Sequence, residues 1–170
     1  MHKQILYPSV PLRVMAMLID TMILSFFFHY FIQSAGLILF RLIFSDVLVH
    51  NNIELARADE ISTIINSDVF KNAATLNSYL QMTFLMLSIE FLLLMIYSVF
   101  FLARFGATPG KFLLKMKVVS DINYSKLTID QAILRSFGYL FFMFSIFTIY
   151  STRERRTIQD YLGRTVVIKT

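Results

Sequence analysis

The sequence predicts an all-α membrane protein with two transmembrane helices, a third apolar segment that spans or re-enters, and a small cytoplasmic two-strand β element. Three observations predict it. Of 170 residues, 56% are hydrophobic and only 16% charged, against about 45–50% and about 25% in an average soluble domain. The apolar residues gather into long runs. The basic excess, a net +5, gathers outside those runs. This composition excludes a disordered chain, a collagen-like chain and a coiled coil. The length allows a single domain, 11–170, with no room for an independent soluble enzyme beside a membrane part. Cysteine is absent, which excludes disulfides, thiolate metal sites and thiol redox chemistry.

The first helix is expected over about 14–40. Between Arg13 and Arg41 lie 27 residues interrupted only by Asp20, His29 and Gln33, and about 20 apolar residues cross the hydrocarbon core. The excess length allows tilt, or a bend near Ser34-Ala35-Gly36. A cleaved signal peptide has an apolar region of about 7–15 residues; this one is nearly twice that and carries Asp20, so cleavage is not expected. The second helix is expected over about 80–103, with one charge, Glu90.

Between them, 41–78 carries Arg41, Arg57 and Lys71 against Asp46, Glu54, Asp59, Glu60 and Asp68, a net −2. Ile53, Ala56, Ile61, Ile64 and Ile65 suggest an amphipathic surface helix, and Ser67 or Asp68 suits the cap of another. The stretch 104–131 carries Arg104, Lys111, Lys115, Lys117 and Lys126 against Asp121 and Asp130, a net +3. The tail, 152–170, carries Arg153, Arg155, Arg156, Arg164 and Lys169 against Glu154 and Asp160, again +3. The positive-inside rule places both in the cytoplasm with Lys3 and Arg13, and the acidic loop outside.

The third apolar segment, 132–151, has only 16 uncharged residues after Arg135. Crossing would put the tail opposite the N-terminus, against the charge rule. The runs from Lys115 to Ser120 and from Thr165 to Thr170 are rich in β-branched residues and read as short strands. Each needs a partner for its backbone groups, so the two are expected to pair on one side of the membrane. That favours a segment that dips in and returns. Against it, Tyr139 to Tyr150 contains no Gly or Pro to make the reversal.

Within the apolar runs, Asp20 and Glu90 are carboxylates where insertion costs about 2.5–3.5 kcal/mol, so each should face protein or water and have a partner. Arg13 precedes Asp20 by seven residues, which puts both on one helix face about 10 Å apart along the axis. Both carboxylates are expected to be structural, paired with Arg13, Arg135 or hydroxyls. The alternative makes Asp20 and Glu90 a proton or cation site. His29 lies about 180° round from Asp20. His2, His29 and His50 have no metal-ligand spacing, and neither metal nor cofactor is expected.

The turn motif Gly106, Thr108, Pro109, Gly110 and Lys111 is not a phosphate loop: one residue is missing between the glycines, and Phe112 stands where Ser or Thr is needed. It reads as a rigid turn in which Thr108 is extended, Pro109 fixes φ, and Gly110 supplies a positive φ. Thr128 and Gln131 form a capping box that opens the next helix. Asp160, among Arg155, Arg156 and Arg164, reads as an ion-pair partner.

Arg13 and Asp20, Gly106-Ala-Thr-Pro-Gly-Lys111 with Val118-Val119, Arg135, and Asp160 within Arg156-Thr-Ile-Gln-Asp-Tyr-Leu-Gly-Arg-Thr together resemble the RDD family of small bacterial membrane proteins, over about 11–170. Gln159 stands where the family often has His, and Ser9-Val-Pro-Leu12 replaces its usual Gly-Phe before the Arg. The resemblance implies an integral inner-membrane protein. Some members are assigned sodium/proton antiport, and others are accessory partners of membrane complexes. The favoured expectation is a structural or accessory module rather than an enzyme; the alternative is a cation/proton antiporter. Expected partners are the lipid bilayer, anionic headgroups at the basic face, and a second copy or another membrane protein, but not nucleic acid.

Overall fold

The computed structural model describes residues 6–50, 53–54, 57, 60–65, 72–151 and 154–170. In chain order it contains α1 (Val10–Ile43), α2 (Ser45–His50), α3 (Glu60–Ile65), α4 (Ala73–Phe105), α5 (Pro109–Leu113), β1 (Met116–Ser120), α6 (Ile129–Phe137), a 3₁₀ turn (Gly138–Phe141), α7 (Phe142–Ser151), α8 (Ile158–Leu162) and β2 (Thr165–Lys169). The protein is mostly helical.

Helices α1 and α4 have 34 and 33 residues, each about 50 Å at 1.5 Å per residue, against about 30 Å of hydrocarbon. Both run past their expected ends. Charge limits the depth a residue reaches, not the helix, and Arg is a good helix former. Only 11% of the most apolar window of each is buried, whereas the core helix of a soluble protein would be mostly covered. Side chains such as Phe26, Phe27, Phe84 and Ile96 are exposed, as suits a lipid-facing surface. The hydroxyls of Thr83 and Ser88 donate to the carbonyls of Tyr79 and Phe84 at 2.9 and 2.8 Å, so neither enters lipid unsatisfied.

The chain packs as two units, Met1–Leu24 with Leu93–Thr170, and Ser25–Leu92. In the Ser25–Leu92 unit, Phe40, Phe44, Leu48, Ile64 and Met82 form a core, with Ile53, Ile61 and Ile65 packed on it. Of the expected amphipathic helix, Ile61, Ile64 and Ile65 lie in the short α3, while Ile53 precedes it outside any helix. His2, Lys3, Ala56, Asp59, Ser67, Asp68, Lys71 and Arg153 lie outside the described residues.

In the other unit, β1 and β2 pair antiparallel, Met116 opposite Lys169 through Ser120 opposite Thr165. The pairing expected from the β-branched runs is therefore present. The backbone N–H of Lys169 also donates to Leu6, at 2.9 Å, which ties the N-terminal segment to the sheet. Val118, Val167 and Met116 pack with Ala16, Leu102, Leu127 and Ala132, so the first turns of α1 and the end of α4 rest on the sheet. Thr128 and Gln131 make the expected capping box.

The third apolar segment is not one helix: α6 ends at Phe137, and a 3₁₀ turn separates it from α7. Gln131, near its start, donates to Ser120 Oγ and to the Arg164 carbonyl. Ile149 and Tyr150, at its end, line a small cavity with Ser9, Val10, Pro11 and Arg155. The whole segment lies within the sheet-bearing unit.

Candidate functional site

The sheet-bearing unit holds two charged centres. The first is built on Asp160, in the short helix α8. Thr157 caps α8: its hydroxyl accepts from the Asp160 N–H at 3.3 Å, while Asp160 Oδ2 accepts from the Thr157 N–H at 2.9 Å. Arg13, from α1, donates to the same Oδ2 at 2.9 Å. Arg135, from α6, donates to Oδ1 and also to Thr165 Oγ1. Asp160 is fully buried and Arg135 is 2% exposed. Burial alone would push the Asp160 carboxyl up. The guanidiniums of Arg135 and Arg13, with the Thr157 N–H, outweigh it and hold the group at about 2, below its usual 3.8. Helices α1, α6 and α8 thus meet on one carboxylate.

Around this centre lies a partly exposed charge network. Arg156 pairs with Asp121 at 2.9 Å and with Glu154. Arg155 donates to the Pro8 carbonyl at 3.1 Å.

The second centre is the seat of the turn motif on α1. Asp20 Oδ2 accepts from Thr108 Oγ1 at 2.6 Å, and Oδ1 from the Gly110 N–H at 2.8 Å and Tyr97 Oη at 3.0 Å. Lys111 Nζ stands 3.9 Å from Oδ2 and donates to Thr108 Oγ1 at 3.1 Å. Helix α5 begins at Pro109 with Thr108 as N-cap, and the Thr108 side chain makes no cap hydrogen bond within it. Asp20 takes that role from another helix, accepting an N–H that has no partner within α5.

Of the partners expected for Asp20, the hydroxyls of Thr108 and Tyr97 are present, and Arg13 and Arg135 are not. Helical spacing put Arg13 and Asp20 on one face, but Arg13 lies one end of that face nearer α8 and is taken by Asp160. Nor is Gly110 the positive-φ glycine. Gly106 is, at φ +73°. Gly110 is demanded by a close approach: a Cβ there would lie 2.1 Å from the Ala16 carbonyl oxygen.

The pairing expected of Glu90 is corrected too: its side of α4 is uncovered, and it joins neither centre. It is exposed on α4 and makes no hydrogen bond or ion pair among the described residues. Several contributors escaped sequence reasoning. The Thr157–Asp160 box has the same four-residue signature as the Thr128–Gln131 box and was legible in principle. Tyr97, Thr165 and the Arg156–Asp121 pair had no local signal, since each partner is more than 25 residues from its mate except by way of the fold.

A family model described as the RDD family matches residues 7–164. No curated protein and no solved structure matches the chain.

Proposed function

The chain belongs to the RDD family, and we propose that it serves as a structural or accessory module of a membrane complex in the bacterial inner membrane, without enzymatic activity of its own. One observation carries this reading: both motif aspartates are saturated by donors, most of them from distant segments. Asp20 accepts from Thr108, Gly110 and Tyr97, and Asp160 accepts from Arg13, Arg135 and Thr157. A carboxylate that exchanges a cation for a proton must release its partners in each cycle. Releasing these would unseat α5 from α1, or leave two guanidiniums buried without a counter-charge.

Antiport through Asp20 and Glu90 is the rival. Asp20→Asn keeps one good acceptor and loses the charge, which should cost about 1.5–3 kcal/mol and lower the yield of folded protein in detergent. Purified protein in liposomes, with a pH-sensitive dye under sodium, lithium and potassium gradients, should give no cation-driven proton flux. Flux from the parent chain, abolished in Asp20→Asn at undiminished folded yield, would establish antiport instead.

The same reading includes a topology. Helices α1 and α4 cross, so the N-terminal segment and the turn motif share a side. Sheet pairing then requires the tail to share it too, so the segment α6–α7 dips and returns. Helix α7, at 10 residues, is about 15 Å long, half the hydrocarbon thickness. The basic stretches favour the cytoplasm for that side. A reporter fused after Thr170 should be active only in the cytoplasm; activity only in the periplasm contradicts the return.

A further inference from the structure

The Ser25–Leu92 unit carries a cluster of exposed polar side chains along the apolar runs of its two long helices. Gly36 of α1 faces the Met86 methyl of α4, where an added Cβ would lie 3.6 Å away. Phe40 shares a cluster with Met82, so the two helices run antiparallel. From the Gly36–Met86 level, at 100° and 1.5 Å per residue, Gln33 lies about 60° round and about 4.5 Å along. His29 lies about 20° round and about 10 Å along, and Glu90 about 40° round and about 6 Å along. In an antiparallel pair, these rotations carry all three to the same side. Their displacements run toward the same membrane face. All three residues are exposed, and none has a hydrogen bond or ion pair among the described residues.

Polar side chains at this depth face protein or water rather than lipid. Here the patch contains both halves of a hydrogen-bonded pair, the Glu90 carboxylate as acceptor and the Gln33 amide and His29 imidazole as donors, with Glu90 between the two in depth. We propose that the patch is the interface with a second copy of the chain, related by a twofold axis along the bilayer normal. Such an axis sets α4 of one copy against α1 of the other. Each Glu90 then meets the Gln33 and His29 level of its partner, and the contact is made twice. Leu87, about 100° round on α4 and 58% exposed, would pack beside it. This surface is distinct from the two charged centres and stands whether or not Asp20 is structural.

The chain has no cysteine, which makes single-cysteine variants clean reporters. In liposomes at low protein density, Leu87→Cys with a short bismaleimide should give a covalent dimer. Ile38→Cys, on the opposite side of the pair and 57% exposed, should not. Single-molecule counting of a dye-labelled chain should give a monomer–dimer equilibrium. Glu90→Leu should raise its dissociation constant about five- to ten-fold, since interhelical hydrogen bonds in membranes average roughly three-fold each and two are lost. A chain that stays monomeric at every density, a dimer cross-linked at Ile38→Cys but not at Leu87→Cys, or a Glu90→Leu dimer as tight as the parent would each overturn the proposal.

Discussion

Asp160→Asn should lower the stability of this protein by about 3–5 kcal/mol. The substitution removes the one negative charge between Arg13 and Arg135, whose side chains are 8% and 2% exposed. The Nε atoms of both are buried without a hydrogen-bond partner among the described residues. Breaking a buried pair costs about 3–5 kcal/mol because the remaining charge is uncompensated, against a total stability of about 5–15 kcal/mol. Thermal unfolding in detergent, followed by size exclusion, reads the change; a loss under about 1 kcal/mol contradicts the assignment. Acid gives a second view of the same centre. The Asp160 carboxyl titrates at about 2 when folded and at the usual 3.8 when unfolded. Its contribution, about 2 kcal/mol, is therefore present above about pH 4 and is lost as pH falls toward 2. That slope should be missing from whatever folded Asp160→Asn protein is recovered.

Gly110→Ala should be nearly as damaging, although it adds one methyl. The new carbon would sit 2.1 Å from the Ala16 carbonyl oxygen and 3.0 Å from Asp20 Cγ. The obstacle is helix backbone, which no rotamer change can move aside. The turn must lift from α1, and Asp20 then loses the donors at 2.6 and 2.8 Å. Overpacking costs about 1–3 kcal/mol, and reducing a buried carboxylate to the Tyr97 hydroxyl costs a similar amount, so about 3 kcal/mol is expected. Gly36→Ala is the comparison. Its Cβ meets only the Met86 methyl at 3.6 Å, and alanine is the better helix former by about 1 kcal/mol. Equal melting temperatures for the two variants would refute the close-approach account of Gly110.

Hydrophobic run length located α1 and α4 because a bilayer imposes a minimum length that composition reveals directly. β-Branched runs located β1 and β2, and the Thr128–Gln131 spacing marked the start of α6, since both signals are local. The centres were less legible. Arg13, Asp20, Arg135 and Asp160 were each visible as charges in the wrong solvent, but which charge answers which was not. Arg13 and Asp20 look like partners at seven-residue spacing, yet their mates lie 147 and 88 residues away. The role of Gly110 was misjudged for a related reason. A glycine beside proline suggests a positive φ, and only the arrival of a second backbone reveals a need for space instead.

From its own order of residues, the chain determines where its two long, apolar, membrane-length helices lie and that strands flank its third apolar segment. These follow from solvation and local backbone preference, which act on neighbours in sequence. Tertiary structure alone decides that Asp160 gathers Arg13 and Arg135 and that Asp20 caps a helix from across the fold. It also decides that Glu90, Gln33 and His29 share one exposed side. Electrostatic pairing and close packing depend on distance in space, and a spacing along one helix says nothing about which other segment will arrive beside it.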